Sequence, residues 1–129
     1  MLPMKAKHLR ILLLDDDPIF AKLVIGYLEM KDMRCVYCSD AKQALNLIKH
    51  HKFDVIICDI VMPKMNGYEF CTRLRDAGYI TPVIMLSGLT DLTDKLAGFH
   101  SGADDYLSKP FAMDELIARL RSLSKLHRI

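Results

Sequence analysis

The sequence predicts a single α/β domain, a doubly wound (βα)5 fold built on a five-stranded parallel sheet. Two periods alternate along the chain: short apolar runs of strand length are separated by segments with helical spacing. Three of the runs, at 11–14, 55–58 and 83–86, carry no alternating polar residue, the pattern of parallel strands covered by helices on both faces. A length of 129 residues leaves room for one such domain, expected over 9–127 after an N-terminal extension at 1–8.

Strand-type runs fall at Leu9–Leu14, Met33–Cys38, 54–58, 82–86 and, more weakly, 104–107. The three uninterrupted runs belong at the centre of the sheet. Between them lie stripes at i, i+3, i+4 spacing: Phe20/Leu23/Val24/Tyr27/Leu28, Ala41/Ala44/Leu45/Ile48, Phe70/Leu74/Ala77 and Leu116/Ile117/Leu120/Leu123. Each is expected to face the core. A further helix is expected over 91–99, the least amphipathic of the set. Asp40 with Gln43 and Asn66 with Glu69 have the spacing of N-caps with a reciprocal partner, Asp17 precedes Pro18 as a cap would, and Gly78 suits a left-handed C-cap.

Composition narrows the function. Hydrophobic residues make up 51% and charged residues 26%, which describes a protein with a core rather than a disordered segment. A net charge of +2 is too small to form a nucleic-acid-binding field, and the basic run Arg119, Arg121, Lys125 and Arg128 reads first as a helix terminus or a join to a further segment. The longest stretch without charge, 77–90, holds Gly78, Pro82 and Gly88 and falls short of the roughly 20 apolar residues of a membrane span, so no membrane contact is expected. The few apolar residues after Lys5, Lys7 and Arg10 do not make a secretory signal, and the chain is expected in the cytoplasm. Cys35, Cys38, Cys58 and Cys71 read as reduced, buried thiols. Cys35 and Cys38 have the spacing of a metal or redox pair, but three residues apart on a strand they point to opposite faces.

In an open parallel sheet, ligands bind beyond the carboxyl ends of the strands. The residues there are Asp15, Asp16 and Asp17 after the first strand, Asp59 ending the third, Ser87 ending the fourth and Lys109 just past the fifth. Carboxylates converging on one edge repel unless a cation joins them, and oxygen donors without His or Cys select Mg²⁺ or Mn²⁺. Magnesium so held characteristically takes a phosphate oxygen as well. Lys109 and Ser87 would then surround a phosphoryl group from other sides, leaving Asp59 as the nucleophile that forms an acyl phosphate. These residues alone leave open whether the acyl phosphate is a transient or the product.

The motifs around these positions are Leu-Leu-Leu-Asp15-Asp16-Asp17-Pro18, Cys58-Asp59-Ile60-Val61-Met62-Pro63-Lys64-Met65-Asn66-Gly67, Met85-Leu86-Ser87-Gly88 and Gly102-Ala103-Asp104-Asp105-Tyr106-Leu107-Ser108-Lys109-Pro110-Phe111. Together they resemble the receiver domain of two-component response regulators, over nearly the whole chain. The resemblance implies a flavodoxin-like strand order 2-1-3-4-5. It implies that Asp59 accepts a phosphoryl group from a sensor histidine kinase or phosphotransfer protein, and that Asp15, Asp16, Asp59 and the Val61 backbone carbonyl hold Mg²⁺. Lys109 would pair with the phosphate, Ser87 would move to bond it, Tyr106 would turn inward, and the Lys109–Pro110 bond is expected to be cis.

The same likeness makes the chain a phospho-acceptor signalling module rather than an enzyme with an external substrate. Its readout would be the surface of the 91–99 helix, the fifth strand and the last helix. Lys95, Asp104, Asp105, Glu115, Arg119 and Arg121 resemble there the charged dimer face of the subfamily with winged-helix DNA-binding domains. A homodimer on phosphorylation is implied, with DNA contacted only through an output domain outside this chain. Gly88 replaces the family's common Ala, so a looser switch loop is expected; Val61 and Leu89 are apolar where polar residues help to position a hydrolytic water, so a long-lived phosphate is expected. A haloacid-dehalogenase-like phosphatase uses similar groups, but its first motif needs Thr where Ile19 stands, and its lysine precedes an acidic pair rather than following Asp104 and Asp105.

Overall fold

A computed structural model describes residues 8–88 and 101–125. Strands β1 (Leu9–Leu14), β2 (Met33–Cys38), β3 (Val55–Asp59), β4 (Val83–Ser87) and β5 (Asp105–Ser108) form one parallel sheet in the order β2-β1-β3-β4-β5. The helices are α1 (Pro18–Met30), α2 (Ala41–His50), α3 (Gly67–Asp76) and α4 (Met113–Ser124). The helix expected over 91–99, with Lys95 and Leu89, lies outside the described residues.

The strand period of two sends alternate residues into two apolar layers. Leu12, Leu14, Ile56, Cys58, Val83, Met85 and Tyr106 join the layer that packs under α2 and α3. Ile11, Leu13, Val55, Ile57, Ile84, Leu86 and Leu107 join the one under α1 and α4. The uninterrupted runs are indeed the sheet centre, because both of their faces are covered. Cys35 and Cys38 fall in opposite layers and all four cysteines are free.

Most end signals act as read. Asp17 caps α1, accepting from the backbone N–H of Ile19 at 3.0 Å and Phe20 at 3.2 Å, with Pro18 at the first helical position. Asn66 accepts from Glu69 N–H at 2.9 Å, without the expected returning bond from the Glu69 side chain among the described residues, and Gly78 sits at φ +91°. Asp40 differs. It accepts from Lys42 N–H at 2.8 Å, while the Gln43 side chain lies 3.5 Å from the Cys38 thiol instead of returning to the cap. Two stripe positions also differ: Leu23 is 65% exposed and Ala77 is exposed, and Cys71 supplies the buried contact of α3 instead.

Candidate functional site

Parallel register places the carboxyl ends of β1, β3, β4 and β5 side by side. Leu14 pairs with Cys58, so Asp15, next along the chain, lies beside Asp59; Asp59 in turn pairs with Leu86, and Ser87 with Ser108. Asp15, Asp16 and Asp59 can each offer a carboxylate oxygen within 4.8 Å of the others, the one such group of metal-ligating side chains among the described residues. Asp15 is fully buried, Asp59 half-buried and Asp16 exposed.

Backbone bonds hold this edge. Asp15 N–H donates to the Cys38 carbonyl at 3.1 Å, and Asp15 Oδ1 accepts from Asp17 N–H at 2.8 Å. Lys109 N–H donates to the Ser87 carbonyl at 2.6 Å, rooting the lysine on the end of β4, and the Lys109–Pro110 bond is cis. Lys109 Nζ lies 3.5 Å from Asp15 Oδ2 and 4.0 Å from Asp59 Oδ2. Asp59 Oδ1 accepts a long 3.4 Å bond from Val61 N–H.

One ammonium faces three carboxylates, and burial acts on two of them. Burial pushes the Asp15 and Asp59 carboxyls above the ordinary range for aspartate; Lys109 pulls both back, and neighbouring carboxylates raise them further. Asp15 Oδ2 is buried without a hydrogen bond. An acceptor so desolvated, next to two further carboxylates, suits a hard divalent cation, which would supply the charge that one lysine does not. The donor set fits Mg²⁺.

The other expected residues are placed as follows. Ser87 is 1% exposed at the end of β4, and Tyr106 is buried in the layer under α2 and α3. Val61 is 65% exposed beside Asp59. The charged group read as a dimer face divides in two. Arg119 bonds Asp105 at 2.9 Å and Glu115 at 3.1 Å, with Arg121 exposed nearby on α4. Asp104 instead bonds Arg75 of α3 at 2.9 Å and accepts from Val83 N–H.

Two residues escaped the sequence reading, and a third, Phe20, was read only as part of the core stripe of α1. Arg75 donates to the carbonyls of Tyr79, Thr81 and Gly102 as well as to Asp104, tying α3 to the stretch that enters β5. Phe20 lies under the Lys109 ammonium. Gly67 opens α3 against β3, where an added Cβ would stand 2.6 Å from the Asp59 carbonyl oxygen. Glycine directly after a capping Asn was the available signal, because a helix start does not itself require it. Gly67→Ala is expected to destabilise the fold by about 1–3 kcal/mol, as overpacking does, measured by denaturant unfolding; an unchanged midpoint would contradict the close approach.

The model of the response regulator receiver domain matches residues 11–121. The transcriptional regulatory protein TcrA of Mycobacterium tuberculosis is 38% identical over 94% of the chain and 48% of its own length, so the chain spans about half of that curated relative. The receiver domain of Francisella response regulator 1452 superposes with a TM-score of 0.87 at 39% identity, covering 92% of this chain and 98% of that one. The receiver domain of sensor histidine kinase PA1611 from Pseudomonas aeruginosa, solved with magnesium coordinated in its active site cleft, gives 0.84 at 26% identity, covering 92% and 99%.

Proposed function

The chain belongs to the response regulator receiver domain family, and from that premise we propose that it takes a phosphoryl group onto Asp59 from a phosphohistidine of a sensor histidine kinase or phosphotransfer protein. The observation that carries this reading is the meeting of Asp15, Asp16, Asp59 and Lys109 at one sheet edge. Asp15, Asp16, Asp59 and the Val61 carbonyl would hold Mg²⁺, or Mn²⁺ in its place. The bound ion supplies positive charge to a phosphoryl oxygen and to the crowded carboxylates.

An Asp59 carboxylate oxygen attacks phosphorus; an O–P bond forms as the P–N bond breaks, its electron pair leaving on the imidazole nitrogen. Lys109, rooted on β4, faces the incoming charge. The product adds about −1.5 to −2 charge and three acceptor oxygens at the end of β3. Ser87 turns its hydroxyl toward them, Tyr106 follows, and the altered surface includes β5 and α4. Two copies then pair through a face of Lys95, Asp105, Glu115, Arg119 and Arg121, which requires the Asp105–Arg119–Glu115 bonds within each copy to rearrange, while Asp104 stays with Arg75 of α3. Contact with DNA would require an output segment joined to this domain. Among the described residues no helix is long and apolar enough to cross a membrane.

Incubation with Mg²⁺ and acetyl phosphate tests the reading. One phosphoryl group gained per chain by intact mass, and none when the metal is chelated before the donor is added, is the expected result. Sustained phosphate release from a generic phosphomonoester would favour a phosphatase instead. Because Val61 is exposed and apolar beside the acceptor, Val61→Asn, and Leu89→Glu likewise, should shorten the phosphate half-life by admitting a positioned water. Unchanged decay in both would contradict the long-lived phosphate.

A further inference from the structure

We propose that Phe20 is a positioning residue for Lys109, an inference that rests on the Asp59 reading above. The Lys109 ammonium lies 4.2 Å from the centroid of the Phe20 ring, well inside the range of a cation–π contact. It therefore sits between three attractors: the ring, Asp15 Oδ2 at 3.5 Å and Asp59 Oδ2 at 4.0 Å. The two carboxylate distances are those of loose ion pairs. A long, rotamer-rich side chain, about a third exposed here, needs a further restraint to stay at the mouth of the site.

The ring is itself fixed. Phe111 meets it edge-on, with centroids 6.3 Å apart and planes at 90°. Phe20 belongs to the first turn of α1, whose cap Asp17 follows directly on Asp15 and Asp16. The metal-ligand turn and the lysine's aromatic seat are thus parts of one rigid helix start. Pro110, Phe111 and Met113 complete an apolar concavity of 410 Å³ with Phe20 and Lys109.

The test compares wild type, Phe20→Leu and Phe20→Tyr by rate of labelling with acetyl phosphate and by the NMR shift of the Lys109 ε-methylene protons. A ring face so close moves those protons upfield. Phe20→Leu should abolish that displacement and slow labelling by about 2- to 5-fold, the size of a partly exposed cation–π contact, while Phe20→Tyr preserves both. A role confined to packing would lower the melting temperature of the Leu variant and leave the labelling rate alone. Wild-type labelling speed in Phe20→Leu, or ordinary ε-proton shifts in the wild type, would overturn the proposal. A wild type that takes up no phosphoryl group would overturn the Asp59 reading, and the role of Phe20 with it.

Discussion

Lys109→Ala is expected to slow phosphoryl uptake by about 10²- to 10³-fold, the usual consequence of removing one preorganised donor from a developing negative charge. Magnesium affinity should hold or rise in the same variant. In the resting site the ammonium stands 3.5 Å from Asp15 Oδ2 and 4.0 Å from Asp59 Oδ2, where it both screens the carboxylates and repels an incoming cation. Losing it removes the repulsion along with the positive charge. The split is diagnostic, since a misfolded variant would lose metal binding and labelling together. Labelling by acetyl phosphate, followed by intact mass, and metal titration by calorimetry measure the two halves. A variant labelled at the wild-type rate would contradict the role of the lysine.

The second large effect concerns Asp15. Its carboxyl is held above its ordinary range chiefly by burial, and Asp59 is held up by the same cause. A carboxyl that binds its proton more tightly in the folded than in the unfolded chain makes stability fall as pH rises from the unfolded value, 3.8, through the raised folded one. Without metal, the acidic edge therefore destabilises the protein at neutral pH and is relieved in acid. Asp15→Asn should melt higher than the wild type at neutral pH in a chelator, and the gap should narrow as pH falls through that window. Magnesium should reverse the order. Binding only the folded state at 100 times Kd adds about 2.7 kcal/mol to the wild type, and Asp15→Asn should lose most of that gain. Melting curves with and without Mg²⁺ across the acid range measure both effects. An Asp15→Asn variant less stable than wild type in chelator would mean that the buried carboxylate is structural.

Much of this edge was legible in the sequence because strand ends are. The apolar runs that close at Leu14, Cys58 and Leu86 mark where the chain leaves the sheet, so Asp15, Asp59 and Ser87 could be located from the pattern. Strands β3, β4 and β5 each begin and end one residue later than the runs suggest. At two of the starts an aspartate side chain takes a neighbouring strand's backbone N–H: Asp54 Oδ2 accepts from Arg10 and Asp104 Oδ2 from Val83. Leu23 shows the limit of a helical stripe: spacing defines a face wider than the surface a single sheet can cover.

Asp104 and Asp105 were read as one charged face, yet they meet partners on different helices, Arg75 of α3 and Arg119 of α4. Adjacent residues at a strand start point to opposite faces, which a surface reading of a charged pair overlooks. The contacts of Arg75 and Phe20 were hidden for another reason, and Gly67 offered only the weak signal of a glycine after a capping Asn. Each acts through a partner brought near only by folding: Gly102 and Asp104 for the arginine, the Asp59 carbonyl for the glycine and Lys109 for the ring. No local spacing encodes such contacts.

The central claim is that the Asp59 carboxyl itself becomes the acyl phosphate. The chain, treated with acetyl phosphate and Mg²⁺, is reduced with borohydride, which converts an aspartyl phosphate to homoserine, and is then sequenced by tandem mass spectrometry. Homoserine at position 59 in the wild type, and none anywhere in Asp59→Asn, is the expected result. Homoserine at another aspartate in the wild type, or an unmodified chain, would contradict it.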